Sequence, residues 1–410
     1  MRVAPAGGAG HVAYEVHDPA DPGGPIAFYR AEGGLAGRRY GLRREAAVLP
    51  VAAGLGWPVP RVLGTPGDPP GLLMNLVAGT SRPAPEEIEP LAAEYLRLLA
   101  DVHAADAASF PIEQYETMAE AVGDDLRWWT DYAEERGALD EPLLRIAARV
   151  LAFTLPTTDE APSLVHGDAG AGNFMIDAGT ISAVIDWELA HVGDPHEDLA
   201  WLWMRGAHTS FGDPQQRLAE YEAAAGRTLD ADRLRWHLAF VMWKSCVGMY
   251  ADLHRPPTSA ALVQSIVILT YDALLGSQLM RVLGGSLQLL GQEPVRRVTP
   301  ATQPADRMLA ATELSTESRL IVTYLREASA QGDWERARFD DELRSLDLPP
   351  RNQLLAELDA LPDERLLDVT TVLARAADRA AMALPNAVRR IERAQKIGLG
   401  TTAEPTERNR

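Results

Sequence analysis

Three side chains in one stretch have the types and spacing for phosphoryl transfer. Asp168, Asn173 and Asp186 lie within SLVHGDAGAGNFMIDAGTISAVIDWELAHVGDPHEDLAW, residues Ser163–Trp201. Moving a phosphoryl group asks little covalent chemistry of a protein; positioning and charge neutralisation dominate. One carboxylate must orient the attacking hydroxyl and accept its proton, which suits Asp168. Hard oxygen ligands must hold Mg²⁺ against a triphosphate, which suits Asn173 and Asp186. Gly170 and Gly172 let the chain turn tightly between base and ligand. The chain contains no GxSxG elbow and no GxxxxGK[ST] loop, which weakens hydrolase and P-loop readings.

Apolar runs must hold these groups. Ser163–Val165 predicts a short strand entering the HGD turn. Asn173–Ile176 and Ile181–Ile185 predict paired strands, with Asp177, Ala178 and Gly179 as the turn. Such a hairpin returns Asp186 to the side of Asn173.

HGDxxxxN, then IDWE, then GDPxxDLA resembles the aminoglycoside phosphotransferase-like kinases, relatives of protein kinases. The fuller HGDAGAGNF and VIDWELAHVGDP are similar to a bacterial branch akin to the kinase domain fused to some acyl-CoA dehydrogenases. The resemblance implies an α+β, two-lobed protein-kinase-like fold. A small β-rich lobe would occupy residues 1–80 and a mostly helical lobe residues 81–290. It also implies ATP and Mg²⁺ as cofactors and a small-molecule hydroxyl acceptor as partner. By resemblance Asp168 is the catalytic base, Asn173 and Asp186 are magnesium ligands, and His166 and Asp198 brace the catalytic loop. Gly170 stands where many protein kinases keep a lysine, which argues for a small-molecule acceptor. Arg205 falls in the region that faces substrate in relatives; Trp201 and Trp203 beside it read as core.

The amino-terminal part departs from that pattern at one position. Kinases pair a strand lysine with a helix glutamate, yet no lysine precedes Lys244. Pro25–Arg30 predicts the strand and Arg38–Leu49 the helix, so the resemblance puts Arg30 and Glu45 in these places. Arginine clamps phosphate bidentately but differs from lysine in reach and geometry. On the residues alone, Arg30 also reads as an edge-strand charge and Glu45 as an exposed helix face. Leu72–Val77 predicts the strand and hinge, which by resemblance sets Met74, Asn75, Leu76 and Val77 near the adenine. Gly8 and Gly10 precede the alternating run Val12–Val16 and read equally as a nucleotide loop or a flexible terminus. The chain starts abruptly here, so part of the first strand is expected to be absent or contributed differently.

Between Ile26 and Glu45, Arg30, Arg38, Arg39, Arg43 and Arg44 outnumber Glu32 and Glu45 by three. That excess would greet ATP or a phosphorylated substrate, or form a solvated basic helix. The whole chain carries net charge −19, which argues against a nucleic-acid surface. A single cysteine, Cys246, excludes an intrachain disulfide and reads as core. With no apolar run of spanning length, a soluble, cytoplasmic protein without membrane partner is expected. His191, Asp194, His196 and Glu197 lack the HExxH spacing of a zinc site.

Helical periodicity marks Glu86–Ala105, Glu113–Arg136, Glu141–Thr154, Asp213–Ala225, Ala231–Leu253 and Ser259–Leu283. Residues 291–306 hold Pro294, Pro300 and Pro304 and read as a linker. Beyond it, Ser315–Gln331, Arg336–Leu346, Arg351–Leu361 and Asp363–Ile397 predict a helical accessory module over 307–400, suited to a homodimer contact. Residues 401–410 read as a tail. Two classes of function follow: an ATP-dependent kinase for a small alcohol, and a nucleotide-binding scaffold without turnover, for which the absent strand lysine speaks.

Overall fold

Ala13–Val16 of the alternating run become part of a five-stranded sheet. The computed structural model describes residues 2–6, 13–18, 24–31, 39–67, 70–81, 84–206, 211–253, 259–285 and 337–381. Contacts group the chain into two units, residues 1–122 with 157–230, and residues 123–156 with 231–410.

In the first unit β1 (Arg2–Ala6), β2 (Ala13–His17), β3 (Pro25–Ala31), β4 (Val62–Gly64) and β5 (Gly71–Asn75) form an antiparallel sheet ordered β1-β2-β3-β5-β4. Val16, Ala27 and Tyr29 cluster as its small core. The first strand is present: β1 pairs with β2 along its length. The sequence reading missed β4, since three residues are too few to reveal alternation.

Helix α1 spans Leu42–Gly54. It starts later than expected and runs through Pro50, past the expected end at Leu49. Burial of Val48, Leu49 and Ala52 in this helix offsets the hydrogen bond that proline removes. The expected helix Glu86–Ala105 is interrupted at Pro90: α2 (Pro85–Ile88) gives way to a 3₁₀ turn, Glu89–Leu91, before α3 (Ala92–Ala104). The helix α4, Met118–Glu135, begins five residues later than expected, because a loop organised by Gln114 precedes it. The Gln114 amide donates to the carbonyls of Ala107, Phe110 and Ile112 at 3.1, 3.2 and 3.1 Å.

The rest of the first unit carries β6 (Ser163–Val165), β7 (Phe174–Asp177), β8 (Thr180–Val184), β9 (His191–Gly193), α6 (His196–Arg205) and α7 (Pro214–Ala225). β7 and β8 form the expected hairpin, and β6 pairs with β9. The short strand β9 was not foreseen. Tyr95 of α3 packs on Phe174 and Phe211, with ring centroids 4.8 and 5.8 Å away.

The second unit is helical. It contains α5 (Pro142–Phe153), α8 (Ala231–Leu253), α9 (Ser259–Val282), a helix α10 over residues 337–345, α11 (Arg351–Glu357) and α12 (Leu366–Ala381). α12 crosses α9 so closely that a Cβ at Gly276 would lie 2.7 Å from the Cβ of Ala374. Arg149 of α5 donates to Leu361 O and Asp363 Oδ1, both at 2.8 Å. The described part of the extension therefore packs with α5 and α9. The predicted helix Ser315–Gln331, the linker 291–306 and the tail 401–410 lie outside the described residues. No helix among the described residues is long and apolar enough to cross a membrane.

This unit buries a carboxyl without full pairing. Asp272 Oδ2 accepts from Tyr250 Oη at 2.8 Å, while Oδ1 has no hydrogen-bond partner among the described residues. Burial raises the Asp272 pKa to about 7. The folded state then holds a proton that the unfolded state releases between its ordinary carboxyl range and pH 7, so this residue's contribution falls as pH rises through that window. Asp272→Asn is expected to stabilise the protein by about 2–4 kcal/mol at pH 8 and to be near neutral at pH 4. Urea midpoints at the two pH values measure it; equal shifts at both would remove the explanation.

Candidate active site

Asp198 holds the HGD turn from beneath. Its Oδ2 accepts from His166 N at 2.8 Å and its Oδ1 from Gly167 N at 2.9 Å. His103 Nε2 lies 2.9 Å from the same Oδ2, and its Nδ1 lies 2.7 Å from Tyr221 Oη. A proton on Nε2 lets His103 donate to Asp198. Burial acts to raise the Asp198 pKa, but the His103 bond and charge outweigh it and hold the carboxyl below its ordinary value. Gly167 is at φ +82°, and a Cβ there would come 2.3 Å from Leu189 O, so only glycine fits.

His166 links the turn to the hairpin. Its Nε2 donates to Ile185 O at 3.0 Å, and its Nδ1 accepts from Asp168 N at 3.3 Å. Ile185 N in turn donates to Asn173 O at 2.9 Å. These bonds bring the ends of the hairpin together, so the sequence-based expectation that Asp186 returns towards Asn173 matches the structure.

Both oxygens of Asp168 are engaged. Oδ2 accepts from Asn173 Nδ2 at 2.7 Å. Oδ1 accepts from Arg205 Nε at 3.1 Å and also from Arg205 Nη2. Arg205 Nη1 donates to Ala171 O at 3.1 Å. The sequence reading had Arg205 as a possible substrate contact; in the structure its guanidinium grips Asp168. Burial raises the Asp168 pKa, with Arg205 pulling the other way. Gly170, at φ +132°, leaves the room for this grip: a Cβ there would lie 2.8 Å from Arg205 Cδ. Its N–H is held by Tyr95 Oη at 2.9 Å.

Asp186 sits in the left-handed region, at φ 70°, a strained place tolerated best by Asp and Asn. Arg30 comes to it from β3. Arg30 Nη1 donates to Glu45 Oε2 at 2.6 Å and Nη2 to Glu188 Oε2 at 3.0 Å. The strand arginine thus pairs with the helix glutamate. Nη2 also lies 2.9 Å from Asp186 Oδ1, but outside hydrogen-bond geometry, so that buried oxygen has an ionic neighbour and no donor. Glu45 is 1% exposed; burial first, then Asp186 and Glu188, lift its pKa to about 7 against the pull of Arg30. Burial works against the charge on Arg30, and the three carboxylates nevertheless raise its pKa. Glu188, the last residue of IDWE, was not singled out from the sequence; an acid two residues past Asp186 was the available signal.

A cleft of about 370 Å³ opens onto this cluster. Arg30, Glu45, Asn173, Asp186 and Glu188 line it together with Met74, Asn75, Leu76 and Val77 and the apolar Phe28, Met175 and Ile185. Asn75 is braced: Oδ1 accepts from Arg61 N at 2.5 Å and Nδ2 donates to Leu76 O at 2.8 Å. Gly8 and Gly10 lie outside the described residues. The donor set fits a hard divalent cation. Carboxylate oxygens of Glu45, Asp186 and Glu188 approach within 4.8 Å of one another, and one of the Asp186 oxygens lacks a donor. Asn173 directs its Nδ2 to Asp168 O and Oδ2, leaving its amide oxygen for a ligand. By contrast His196 is spent structurally, between Asp194 Oδ1 at 2.7 Å and Asp230 N at 3.0 Å.

A family model described as the phosphotransferase enzyme family matches residues 6–237. Among curated proteins, mouse acyl-CoA dehydrogenase family member 10 is 25% identical over 186 residues, 42% of this chain and 17% of that protein. Acyl-CoA dehydrogenase family member 11 of Pongo abelii is 28% identical over 129 residues, 30% of this chain and 16% of that protein. The matches thus span about a sixth of the length of those relatives, 17% and 16%. Among solved structures, a candidate aminoglycoside phosphotransferase from Ralstonia eutropha superposes with TM-score 0.51 at 20% identity, covering 64% of this chain and 87% of that one. That likeness shows a shared fold, the kinase-like α+β class expected from the motifs.

Proposed function

The chain belongs to the phosphotransferase enzyme family, and we propose that it transfers the γ-phosphoryl group of ATP to a hydroxyl of a small molecule. The observation that carries this reading is the position of Asn173. Its side chain lines the cleft with Asp186, while its amide nitrogen holds Asp168 at 2.7 Å.

In this reading the acceptor oxygen attacks the γ-phosphorus, the bond to the β–γ bridging oxygen breaks, and ADP leaves. Asp168 orients the hydroxyl and takes its proton on a carboxylate lone pair left over by Arg205 and Asn173. Arg205 favours the charged form of Asp168 against its burial, and Asp198 fixes the turn that presents it. Asn173 and Asp186 would hold Mg²⁺; when bound, the ion supplies positive charge against the triphosphate. Arg30 sets its guanidinium beside Asp186, in the role that kinases give to lysine. Met74–Val77 would take the adenine. Two acceptor classes merit testing. A hydroxyacyl-CoA ester is suggested by the acyl-CoA dehydrogenase names of the curated relatives. A polyhydroxylated, aminoglycoside-like alcohol is the second.

The test is Mg²⁺-dependent ATP binding and slow ATP hydrolysis by the purified chain beside Asp186→Ala. ATP binding is expected to strengthen with Mg²⁺, and Asp186→Ala to abolish the metal dependence. Folded protein that binds ATP with Mg²⁺ but does not turn it over would favour the nucleotide-binding scaffold reading, which draws its support from the engagement of Arg30 by three carboxylates.

A further inference from the structure

The basic stretch ahead of α1 forms a cluster that phosphoryl transfer at Asp168 leaves unused. The guanidinium carbons of Arg39 and Arg44 lie 5.3 and 5.7 Å from the centroid of the Tyr40 ring between them. Both cations share one carboxylate oxygen, Glu113 Oε2: Arg44 Nη2 bonds to it, and Arg39 Nε is 3.9 Å away. Arg39 Nη2 also donates to Tyr115 Oη at 2.9 Å. Arg44 Nε and Nη2 donate to Arg39 O at 3.2 and 3.1 Å, which holds the two arginines together.

Two features make this a site rather than a surface ion pair. Arg44 is buried, with its side chain 4% exposed, yet its Nη1 has no hydrogen-bond partner among the described residues. A buried guanidinium donor without an acceptor calls for a further oxygen. Second, the shared carboxylate is the one loosely held member, since the Glu113 side chain is 46% exposed. Arg39 and Arg44 bring two guanidinium groups to one exposed carboxylate oxygen. A phosphate dianion matches both and offers oxygens enough for two forks. The site also adjoins the reaction centre: Gly41 N donates to Glu188 O at 3.0 Å, and Glu45, next to Arg44, faces Arg30.

We propose that Arg39 and Arg44 form a second oxyanion site that receives a phosphate group carried by the acceptor, with Glu113 as the side chain it displaces. The assignment to the acceptor rests on the phosphotransfer reading; the phosphate site itself does not. The loop organised by Gln114 presents Glu113 and Tyr115 on either side of that amide, which keeps the tyrosine in place when the glutamate swings out.

The test uses the full chain and inorganic phosphate without magnesium, followed by calorimetry. Removing the buried Arg44 risks the fold, so the variants are Glu113→Gln and Glu113→Gln with Arg39→Gln, each checked by circular dichroism. Glu113→Gln is expected to bind phosphate about tenfold more tightly than the wild type, because the competing carboxylate is gone. The double variant should lose that gain. Equal affinity in wild type and Glu113→Gln, or a double variant that keeps the tighter binding, overturns the site. ATP binding measured on the same samples reports separately on the kinase reading. Saturating phosphate is expected to leave basal ATP hydrolysis at its value in an ionic-strength control. A change confined to chains with Arg39 intact would overturn the assignment to the acceptor in favour of free phosphate as an effector.

Discussion

Asp168→Asn is expected to lower turnover by about 10²–10⁴-fold, the range a positioned general base contributes. Asparagine keeps the shape and can still meet Asn173, but it accepts no proton and leaves Arg205 without its counter-charge. The loss should fall on kcat, with ATP affinity changed only slightly, because the adenine and phosphate contacts of the proposal lie elsewhere in the cleft. Initial rates and nucleotide titrations on the same samples separate the two. Arg205→Lys serves as the companion: it retains a cation for Asp168 but loses the fork on Oδ1 and Ala171 O, so a smaller drop is expected. Turnover of Asp168→Asn within a few-fold of wild type would falsify its role as base.

The second large effect is on stability. Arg30→Met is expected to destabilise the folded chain by about 3–5 kcal/mol, the cost of leaving a buried charge without its partner. Glu45 is 1% exposed, and Asp186 and Glu188 stand beside it, so three carboxylates would face one another with no cation between them. Urea denaturation measures the loss. Two further outcomes tie it to charge rather than packing. The loss should shrink at pH 5, where Glu45, with its pKa lifted to about 7, takes up a proton. Added Mg²⁺ should recover part of it by entering the same cluster. An Arg30→Met chain that unfolds at the wild-type urea concentration would show that Arg30 contributes nothing there.

Much of the local structure was legible in the residues. The hairpin came from Ile181–Ile185 and its turn, because alternation and Ala178–Gly179 both act over a few residues. The helices after Pro142 came from apolar periodicity, and α8 was read to its end residues. Errors gathered where a local signal met a tertiary force. Pro50 should end α1, yet the buried face of that helix carries it on to Gly54. β4 and β9 are three residues each and form only because a partner strand stands ready.

The sequence by itself determined the inventory of the candidate site. Asn173 and Asp186 flank one two-strand hairpin, whose geometry is short-ranged, and Asp168 lies five residues before Asn173. The absence of lysine before Lys244 was also plain, and the family resemblance put Arg30 and Glu45 in the paired positions; the structure decided for the ion pair over an exposed face. Only the tertiary structure decided how the charges are matched. Arg205 turned from the acceptor region onto Asp168, Glu188 joined Asp186 around Arg30, His103 came under Asp198, and Glu113 closed over Arg39 and Arg44. These pairs are separated by tens to more than a hundred residues of chain. Coulombic attraction and desolvation depend on distance through space and on burial, and neither quantity is written in the spacing of residues along a motif.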